Sequence, residues 1–274
     1  MKKKILSILL ALPVLFLTSC SDDDDPIIFI GASQTFELKS VVNPNISGTA
    51  TFIENEDNST TVELQLTGTP DGGIHPAHIH FNTAAESGDI AVDLAPVDGD
   101  TGFSTITFSE LKDGTSVTYD QMIDYDGYIN VHLSATELAT LVAQGDIGQN
   151  ELTGISEAYT LNELDVTGIS GTATFYERVN GEALAILNIV NTPVDGTHPA
   201  HIHSGSVANA PGGILFTFNP VDGNTGISTT NVAKLDDNTA FGYDDVLSVD
   251  GYINVHLSAA ELGTIVAQGN IGIN

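Results

Sequence analysis

Histidine is the residue type in this sequence whose spacing could do chemistry. The chain of 274 residues has eight histidines. The string His-Pro-Ala-His-Ile-His occupies residues 75–80 and recurs at 198–203, and the string Asp-Gly-Tyr-Ile-Asn-Val-His ends first at His132 and again at His256. All eight histidines therefore stand at matched positions of an internal repeat, four in each copy. Because imidazole is a common metal ligand and a proton carrier near neutral pH, such sets could form functional sites.

The side-chain alternation of β-strands would bring three histidines of each copy together. Residues two apart in a strand point to the same side, so His78 and His80 share one face and Ile79 takes the other. In the later string, apolar residues such as Val131 alternate with a polar set that ends at His132. If the two strands are neighbours, His132 joins the pair on the face opposite the core. The same argument gathers a second set, His201, His203 and His256.

Three neutral imidazoles that converge on one point suit Cu(II), Zn(II) or Ni(II). The sets contain no thiolate and no cluster of carboxylates, which disfavours iron–sulfur or calcium chemistry there. We therefore expect one metal ion in each set, with copper as the first choice and zinc as the second. His75 and His198 stand just before a proline and are interpreted as supporting residues behind the ligands. The alternative is a hydrogen-bonded histidine network that fixes a strand corner without metal.

Other polar motifs give weaker signals. Three segments with Asp-Gly, at 98–100, 124–127 and 222–224, offer the oxygen ligands that calcium prefers. They lack the spacing of an EF-hand, and Asp-Gly is first of all turn chemistry, so calcium ranks below copper and zinc. The sequence has no Gly-x-Ser-x-Gly motif, no Walker loop and no second cysteine, and no catalytic residue is assigned.

The apolar pattern between the histidine motifs has the period of strands. Val62, Leu64 and Leu66 alternate with polar residues, and glycine, asparagine, aspartate and proline interrupt the chain about every ten residues. This pattern predicts an all-β fold of antiparallel sandwich or barrel type. The internal repeat divides the fold into two tandem domains, at 33–150 and 154–274.

One short helix is expected in each domain, over residues 134–144 and 258–268. Each segment opens with a serine that is followed three residues later by glutamate, which is the pattern of a capping box. The apolar residues that follow recur on one helical face. Four residues are accordingly interpreted as helix caps rather than catalytic groups: Ser134, Glu137, Ser258 and Glu261.

The first twenty residues have the composition of a bacterial lipoprotein signal peptide. Three lysines precede an apolar stretch at 5–16, which is too short to span a bilayer, and Leu-Thr-Ser-Cys follows. This ending resembles a lipobox, so we expect residues 1–20 to be the signal peptide and Cys20 to be lipidated. The alternative is an ordinary signal peptide with an incidental cysteine. Residues 21–32 begin with an acidic run and are interpreted as a tether.

Charge and anchor together limit the partners of the chain. The formal charge is −29, and removal of the leader takes away three of the seven basic residues but none of the 36 acidic ones. Nucleic acid and anionic membranes are therefore poor partners, whereas cations are good ones. We expect membrane contact through the lipid anchor alone and an extracellular protein or matrix partner of unknown identity. The expected location is the outer membrane, at the cell surface or on the periplasmic face.

The repeated strings resemble a known family of domains. Ala-His-Ile-His at 77–80, Asn-Val-His at 130–132 and the opening string Ser-Gly-Thr-Ala-Thr-Phe at 47–52 are similar to the CHRD domain, which was first described in chordin and is common as tandem copies in bacterial exported proteins. The resemblance covers both repeats and implies an immunoglobulin-like β-sandwich. The closing strand departs from the family pattern, because Gly-Asp-Ile-Gly at 145–148 replaces a segment that usually contains arginine.

A more distant resemblance is to the copper strands of Cu/Zn superoxide dismutase, over residues 73–80 and the later Val131-His132. It implies a supporting role for His75 and copper ligation by His78, His80 and His132. The chain departs from that enzyme in having no candidate for the bridging histidine or the zinc loop, and its negative charge would repel superoxide. The first alternative function is therefore a metal-free extracellular interaction or matrix module, and a dismutase-like enzyme is the second.

Overall fold

Antiparallel strands dominate the structure, as the alternation of apolar residues predicts. The computed structural model describes residues 30–274. Strands make up 51% of it, the described residues contain two short α-helices, and the antiparallel sheets curl into half-barrels. The predicted all-β sandwich or barrel class is confirmed. The predicted signal peptide at 1–20, Cys20 and nearly all of the tether at 21–32 lie outside the described residues.

The segment predicted as the first domain contains ten strands and one helix, α1 (Tyr119–Ile123). The strands form one sheet, in which each strand is hydrogen-bonded to the next in the order β4-β7-β8-β3-β2-β1-β10-β9-β5-β6. Their bounds are β1 (Ser33–Ser40), β2 (Ser47–Glu54), β3 (Thr60–Thr67), β4 (Ile74–His75), β5 (Ala77–Phe81), β6 (Ile90–Asp93), β7 (Val97–Asp98), β8 (Phe103–Phe108), β9 (Asp126–His132) and β10 (Leu141–Gly148).

The segment predicted as the second domain repeats this arrangement. Its helix is α2 (Tyr243–Ser248), and a 3₁₀ turn covers Val207–Asn209. Its main sheet has the order β16-β15-β19-β20-β11-β12-β13-β18, and β14 pairs with β17 in a separate two-stranded sheet. Each strand therefore has the neighbours of the strand ten places earlier, except that β17 and β18 lack the pairing that joins β7 to β8. The bounds are β11 (Leu152–Glu163), β12 (Ser170–Arg178), β13 (Ala183–Val190), β14 (Thr197–His198), β15 (Ala200–Ser204), β16 (Ile214–Thr217), β17 (Val221–Asp222), β18 (Ile227–Val232), β19 (Asp250–His256) and β20 (Ile265–Gly272).

One long strand joins the two halves of each sheet. In the first sheet, β1 pairs with β2 through residues 33–38 and with β10 through residues 39–40, so it passes from one half to the other. The apolar faces of the two halves close on a common core, in which Phe52 from one half is buried together with Ile79 and Ile129 from the other. Strand β11 joins the halves of the second sheet in the same way.

The predicted helices at 134–144 and 258–268 are wrong. Two successive turns occupy the first segment, with bonds from the Glu137 amide to the Ser134 carbonyl and from the Thr140 amide to the Glu137 carbonyl, each at 3.1 Å, before β10 begins. The second segment has the same two bonds, at the same distance, before β20 begins. The predicted capping role is therefore wrong for all four residues: Ser134, Glu137, Ser258 and Glu261.

Strand pairing explains why the capping-box pattern fails. A helix through residue 144 would remove β10 from its place between β1 and β9. Val142 is buried as a strand residue, whereas Leu138, which the helix would have packed on the same face, is half-exposed. The helix that each repeat does contain lies just before the later histidine strand. Thr118 caps α1, because its hydroxyl accepts from the Gln121 amide at 3.4 Å while the Gln121 side chain accepts from the Thr118 amide at 2.9 Å.

The sole arginine of the sequence joins the two repeats. Arg178, at the end of β12, is almost fully buried. Its Nη1 donates to Asp146 Oδ2 at 2.7 Å and to the carbonyl oxygen of Asn150, both in the first repeat. Its Nε donates to Asn231 Oδ1 at 2.8 Å in the second repeat. The guanidinium thus connects the repeats, and Gly31–Asn274 form one compact unit.

Asp146→Asn is expected to lower the free energy of unfolding by about 3 kcal/mol, because it leaves the buried guanidinium without its counter-charge. The matched control is Asp93→Asn, which breaks an ion pair with Lys112 in which both side chains are about half-exposed and should cost less than about 1 kcal/mol. Urea denaturation followed by circular dichroism, with a chelator present, measures both changes. Equal losses in the two variants would contradict the joining role of Arg178.

Candidate metal centre

The three histidines of the first set, His78, His80 and His132, lie on two neighbouring strands. Strands β5 and β9 pair antiparallel, with His78 opposite Asn130 and His80 opposite Tyr128. Their apolar residues point the other way into the core, where Ile79 is fully buried. The prediction that these strands are neighbours is confirmed, as is the same pairing of β15 with β19 in the second repeat.

The structure brings together the histidines that the sequence groups. One ring nitrogen from each of His78, His80 and His132 lies within 4.8 Å of the other two. The closest pair is His78 Nδ1 and His132 Nε2, which are 3.1 Å apart. The second repeat reproduces both distances, since its corresponding pair is also 3.1 Å apart, with the set His201, His203 and His256.

Backbone carbonyls orient two rings of each set. His80 Nδ1 donates to the Gly88 carbonyl at 2.9 Å, and His132 Nδ1 donates to the Leu138 carbonyl at 2.6 Å. A carbonyl oxygen can only accept, so Nδ1 of both rings must hold the hydrogen, and in the neutral ring Nε2 is left with a free lone pair. The second set has the same bonds, from His203 to Gly212 at 3.0 Å and from His256 to Leu262 at 2.7 Å.

The remaining ring of the first set has a different orientation. His78 turns Nδ1 toward His132 Nε2, and because that Nε2 has only a lone pair, His78 Nδ1 is the donor between them. His78 Nε2 lies 3.9 Å from Asp93 Oδ1 on β6. If a metal ion took the place of the shared hydrogen, His78 would bind it through Nδ1 and present its Nε2 hydrogen to Asp93, an arrangement typical of metal-ligating histidines.

One lone pair of each set is buried without a partner. His80 Nε2 and His203 Nε2 have no hydrogen-bond partner in the structure. Buried polar atoms are nearly always paired, and leaving one unpaired costs roughly 1–3 kcal/mol. Both atoms belong to the ligand sets, and a metal ion bound by the set would satisfy each of them.

Burial also gives the histidines the protonation state that metal binding needs. It lowers the pKa of His78, and the neighbouring His132 and His80 lower it further. Burial lowers the pKa of His132 as well, although its bond to the Leu138 carbonyl acts in the opposite direction. The pKa values of His201 and His256 are lowered for the same leading reason. These rings are therefore neutral at pH 7, as metal ligation requires.

A tyrosine fixes the second ring of each set from the side. The Tyr128 ring stacks on the His80 ring with centroids 4.9 Å apart, and the Tyr128 hydroxyl accepts from the Gly88 amide at 3.2 Å. The Gly88 peptide therefore contacts both side chains, and a Cβ at this position would overlap the carbonyl oxygen of Phe81. Tyr252 makes the same contacts with the second set. Both tyrosines therefore line their histidine sets.

Turns and a loop cover the histidine site. The histidines were expected on an outer sheet face, but His132 is buried, because the turns at 133–140 and the loop at 82–89 cover that face. The sequence reasoning also missed Gly88 and Leu138, which act through backbone carbonyls that every residue type possesses. It missed Asp93 because the strand that holds it has no polar motif.

The fourth histidine of each repeat lies behind the ligands. His75 Nδ1 donates to the His132 carbonyl at 3.2 Å, and His198 Nδ1 donates to the Leu257 carbonyl at 2.8 Å. Both rings are buried, and each has its Nε2 against a glycine, Gly73 or Gly196. They therefore hold the end of the later histidine strand and stand apart from the ligand sets.

Two of the three Asp-Gly segments, at 98–100 and 222–224, use an aspartate carboxylate within the turn, whereas Asp124 and Asp126 accept from the side chains of Gln149 and Asn150, both at 2.9 Å. Asp98 Oδ1 accepts from the amides of Asp100 and Thr101, both at 3.0 Å, and Asp222 Oδ1 accepts from the amides of Asn224 and Thr225 at 2.9 and 2.8 Å. These bonds account for the segments as turns. Calcium binding there stays an expectation from the sequence.

Comparison with known families finds a CHRD domain at residues 31–137. The matched region contains strands β1 to β9 and every histidine of the first repeat, and it ends before β10. No curated protein and no solved structure gives a match. The resemblance to the CHRD family is confirmed for this region, whereas the tandem CHRD assignment and the likeness to superoxide dismutase remain unconfirmed.

CHRD domains are typically extracellular or secreted. Among residues 30–274, neither helix has the length and apolar character that crossing a bilayer would need.

The lowered pKa values predict that the metal-free protein loses stability as the pH falls from about 7 through 6.5. An unfolded histidine with its ordinary pKa of 6.5 binds a proton before the folded ring does, so acid favours the unfolded state until the folded pKa is passed. Carboxylates with a lowered pKa, such as Asp57 and Asp113, act in a separate window at and below their ordinary pKa of 3.8.

Thermal unfolding between pH 8 and 5 in the presence of a chelator measures this dependence. The double variant His78→Gln and His201→Gln is the control, and its profile should be flatter than that of the parent protein. A parent profile without slope in this range would show that the rings are not held neutral by the fold.

Proposed function

We propose that this chain, in which residues 31–137 are a CHRD domain, is an exported lipid-anchored protein with two such domains, each of which binds one transition-metal ion through three histidines. The assignment of residues 154–274 to a second CHRD domain is supported by the repeated strings and by the matching strand order of the two sheets. Copper is the first choice of metal, and zinc is the second.

The observation behind the metal proposal is that one ring nitrogen from each of three histidines converges to within 4.8 Å, in both repeats, with the Nε2 atoms of His80 and His203 buried and unpaired. His75 Nε2 and His198 Nε2 are also buried without a partner, so an unpaired nitrogen alone does not mark a ligand; at His80 and His203 it belongs to a set of three converging rings. The carbonyl bonds hold the hydrogens of the His80 and His203 rings on Nδ1, so Nε2 is the nitrogen that keeps a lone pair. The same arrangement occurs twice in one chain, which favours a bound ligand over a chance arrangement of the side chains.

The donor set supports copper and zinc over other metals. Three neutral nitrogen ligands without thiolate suit Cu(II) and Zn(II), and His78 and His132 already have nitrogens within 3.1 Å of each other. When bound, the ion would replace the hydrogen that His78 now shares with His132. Three protein ligands leave a coordination position open for a further ligand. No catalytic role is proposed.

The proposed location combines the family with the leader. Extracellular placement is typical of CHRD domains, and residues 1–20 have the pattern of a lipoprotein signal peptide that ends at Cys20. Lipidation of Cys20 would place both domains at the outer membrane, on a tether at 21–32. The acidic chain would be repelled by an anionic bilayer, so the lipid would be its one membrane contact.

Metal content per chain tests the proposal. The purified full-length protein, stripped with chelator and dialysed against Cu(II) or Zn(II), is expected to retain two ions per chain by elemental mass spectrometry. His80→Ala and His203→Ala should each retain one ion, and the double variant none. His75→Ala is the matched control, since it also removes an imidazole but one outside the sets, and it should still retain two.

Circular dichroism confirms that each variant is folded before its metal content is compared. A parent protein that retains no copper or zinc would contradict the metal proposal and leave a metal-free interaction module as the better account. Two retained ions in the double variant would place the metal elsewhere on the chain.

A further inference from the structure

A charged pair lies at the edge of the first histidine set. Asp93 on β6 is the strand partner of His78, with Oδ1 at 3.9 Å from His78 Nε2. Both oxygens of that carboxylate contact the Lys112 ammonium, at 2.9 and 2.8 Å. The edge of the first site therefore has one negative and one positive charge in direct contact, and their fields oppose each other.

The second set has a different edge. The strand partner of His201 is Thr217, which has no charge. The nearby carboxylate is that of Asp236, which is hydrogen-bonded to Thr217. Asp236 accepts from the Thr217 amide at 2.9 Å and from the Thr217 hydroxyl at 2.7 Å, so both of its oxygens are held by one residue. No lysine or arginine pairs with Asp236 among the described residues. The second edge is therefore negative.

The repeat makes the two edges directly comparable. Asp236 occupies the position of Lys112: the Lys112 amide donates to the Ala91 carbonyl at 2.8 Å, and the Asp236 amide donates to the Leu215 carbonyl, in the matching strand, at 3.0 Å. One backbone position therefore has a positive side chain in the first repeat and a negative one in the second.

The charges at the two edges act on the neighbouring histidines in different ways. Burial is the main cause that lowers the pKa of His78, followed by His132 and His80; Asp93 then raises it and Lys112 lowers it. Burial and the two neighbouring histidines also lower the pKa of His201, but there Asp236 raises it without an opposing lysine.

From these contacts we infer that the second histidine set binds a divalent cation more tightly than the first, and that the side chain at the aligned positions Lys112 and Asp236 sets the difference. The inference rests on the metal sites proposed above. Since Asp93 and Lys112 are about half-exposed, water and salt screen their charges, and the expected difference is about tenfold at low ionic strength.

Single-site proteins measure the two affinities separately. Full-length His203→Ala retains the first site and His80→Ala retains the second, and each is titrated with Zn(II) against a chromophoric chelator. The His80→Ala protein should hold zinc about tenfold more tightly, and the gap should narrow as salt is raised. Lys112→Gln added to the first protein should strengthen binding about tenfold, and Asp236→Asn added to the second should weaken it by a similar factor.

Charge changes of the same sign elsewhere on the chain are the controls. Lys39→Gln in the first protein and Asp244→Asn in the second should change zinc affinity by about twofold or less. Equal affinities of the two sites, tighter binding by the first site, or control variants as effective as the edge variants would each overturn the inference while leaving the metal sites in place. Absence of zinc binding by both single-site proteins and by the parent would instead contradict the proposed function itself.

Discussion

The antiparallel register of β5 on β9 is the constraint on which the histidine site depends. Ile79 and Ile129 face each other directly across this pair and are both fully buried. Burial of each side chain contributes about 1.5–3 kcal/mol, so the core strongly favours this register. A slip by one residue would turn His78 and His80 into the core and the isoleucines outward. The same apolar packing that stabilises the sheet therefore positions the histidines.

Strand register determines where each ring lies, but not which of its two nitrogens has the hydrogen and which has the lone pair. The covering loops determine that. The carbonyl of Gly88 fixes the hydrogen of His80, and the carbonyl of Leu138 fixes that of His132. The loops also exclude water, which lowers the pKa of His132 and leaves the Nε2 of His80 without a partner. An oriented and unsatisfied nitrogen is costly in a protein that binds nothing, and it is what a metal ion requires. The loops thus convert a face of histidines into a ligand set.

The parts of the structure that could be predicted are those with a local signature. Alternation of period two identified the strands, the buried Ile79 and the face shared by His78 and His80. This worked because successive side chains of a strand point to opposite faces, whichever strands lie beside it. The helix predicted at 134–144 failed because its capping pattern is equally local, whereas the pairing of β10 with β1 and β9 is a long-range interaction that outweighs it. The carbonyl contacts and the carboxylates at the site edges have no sequence signature, since they depend on how distant segments meet.

Comparison of the two repeats shows which contacts are the same in both copies and which differ. Inside the sets, corresponding hydrogen-bond lengths agree within 0.1 Å, because every ring is packed against buried strands and loops. Where the surroundings are exposed or face the other repeat, the residues differ. Asn55 closes its own hairpin through a bond to Ser59 at 3.0 Å, whereas Arg178 at the aligned position reaches across to Asp146 in the first repeat. The residue difference at this position links the two repeats through Arg178, whereas the histidine geometry, enclosed by its own core, is the same in both.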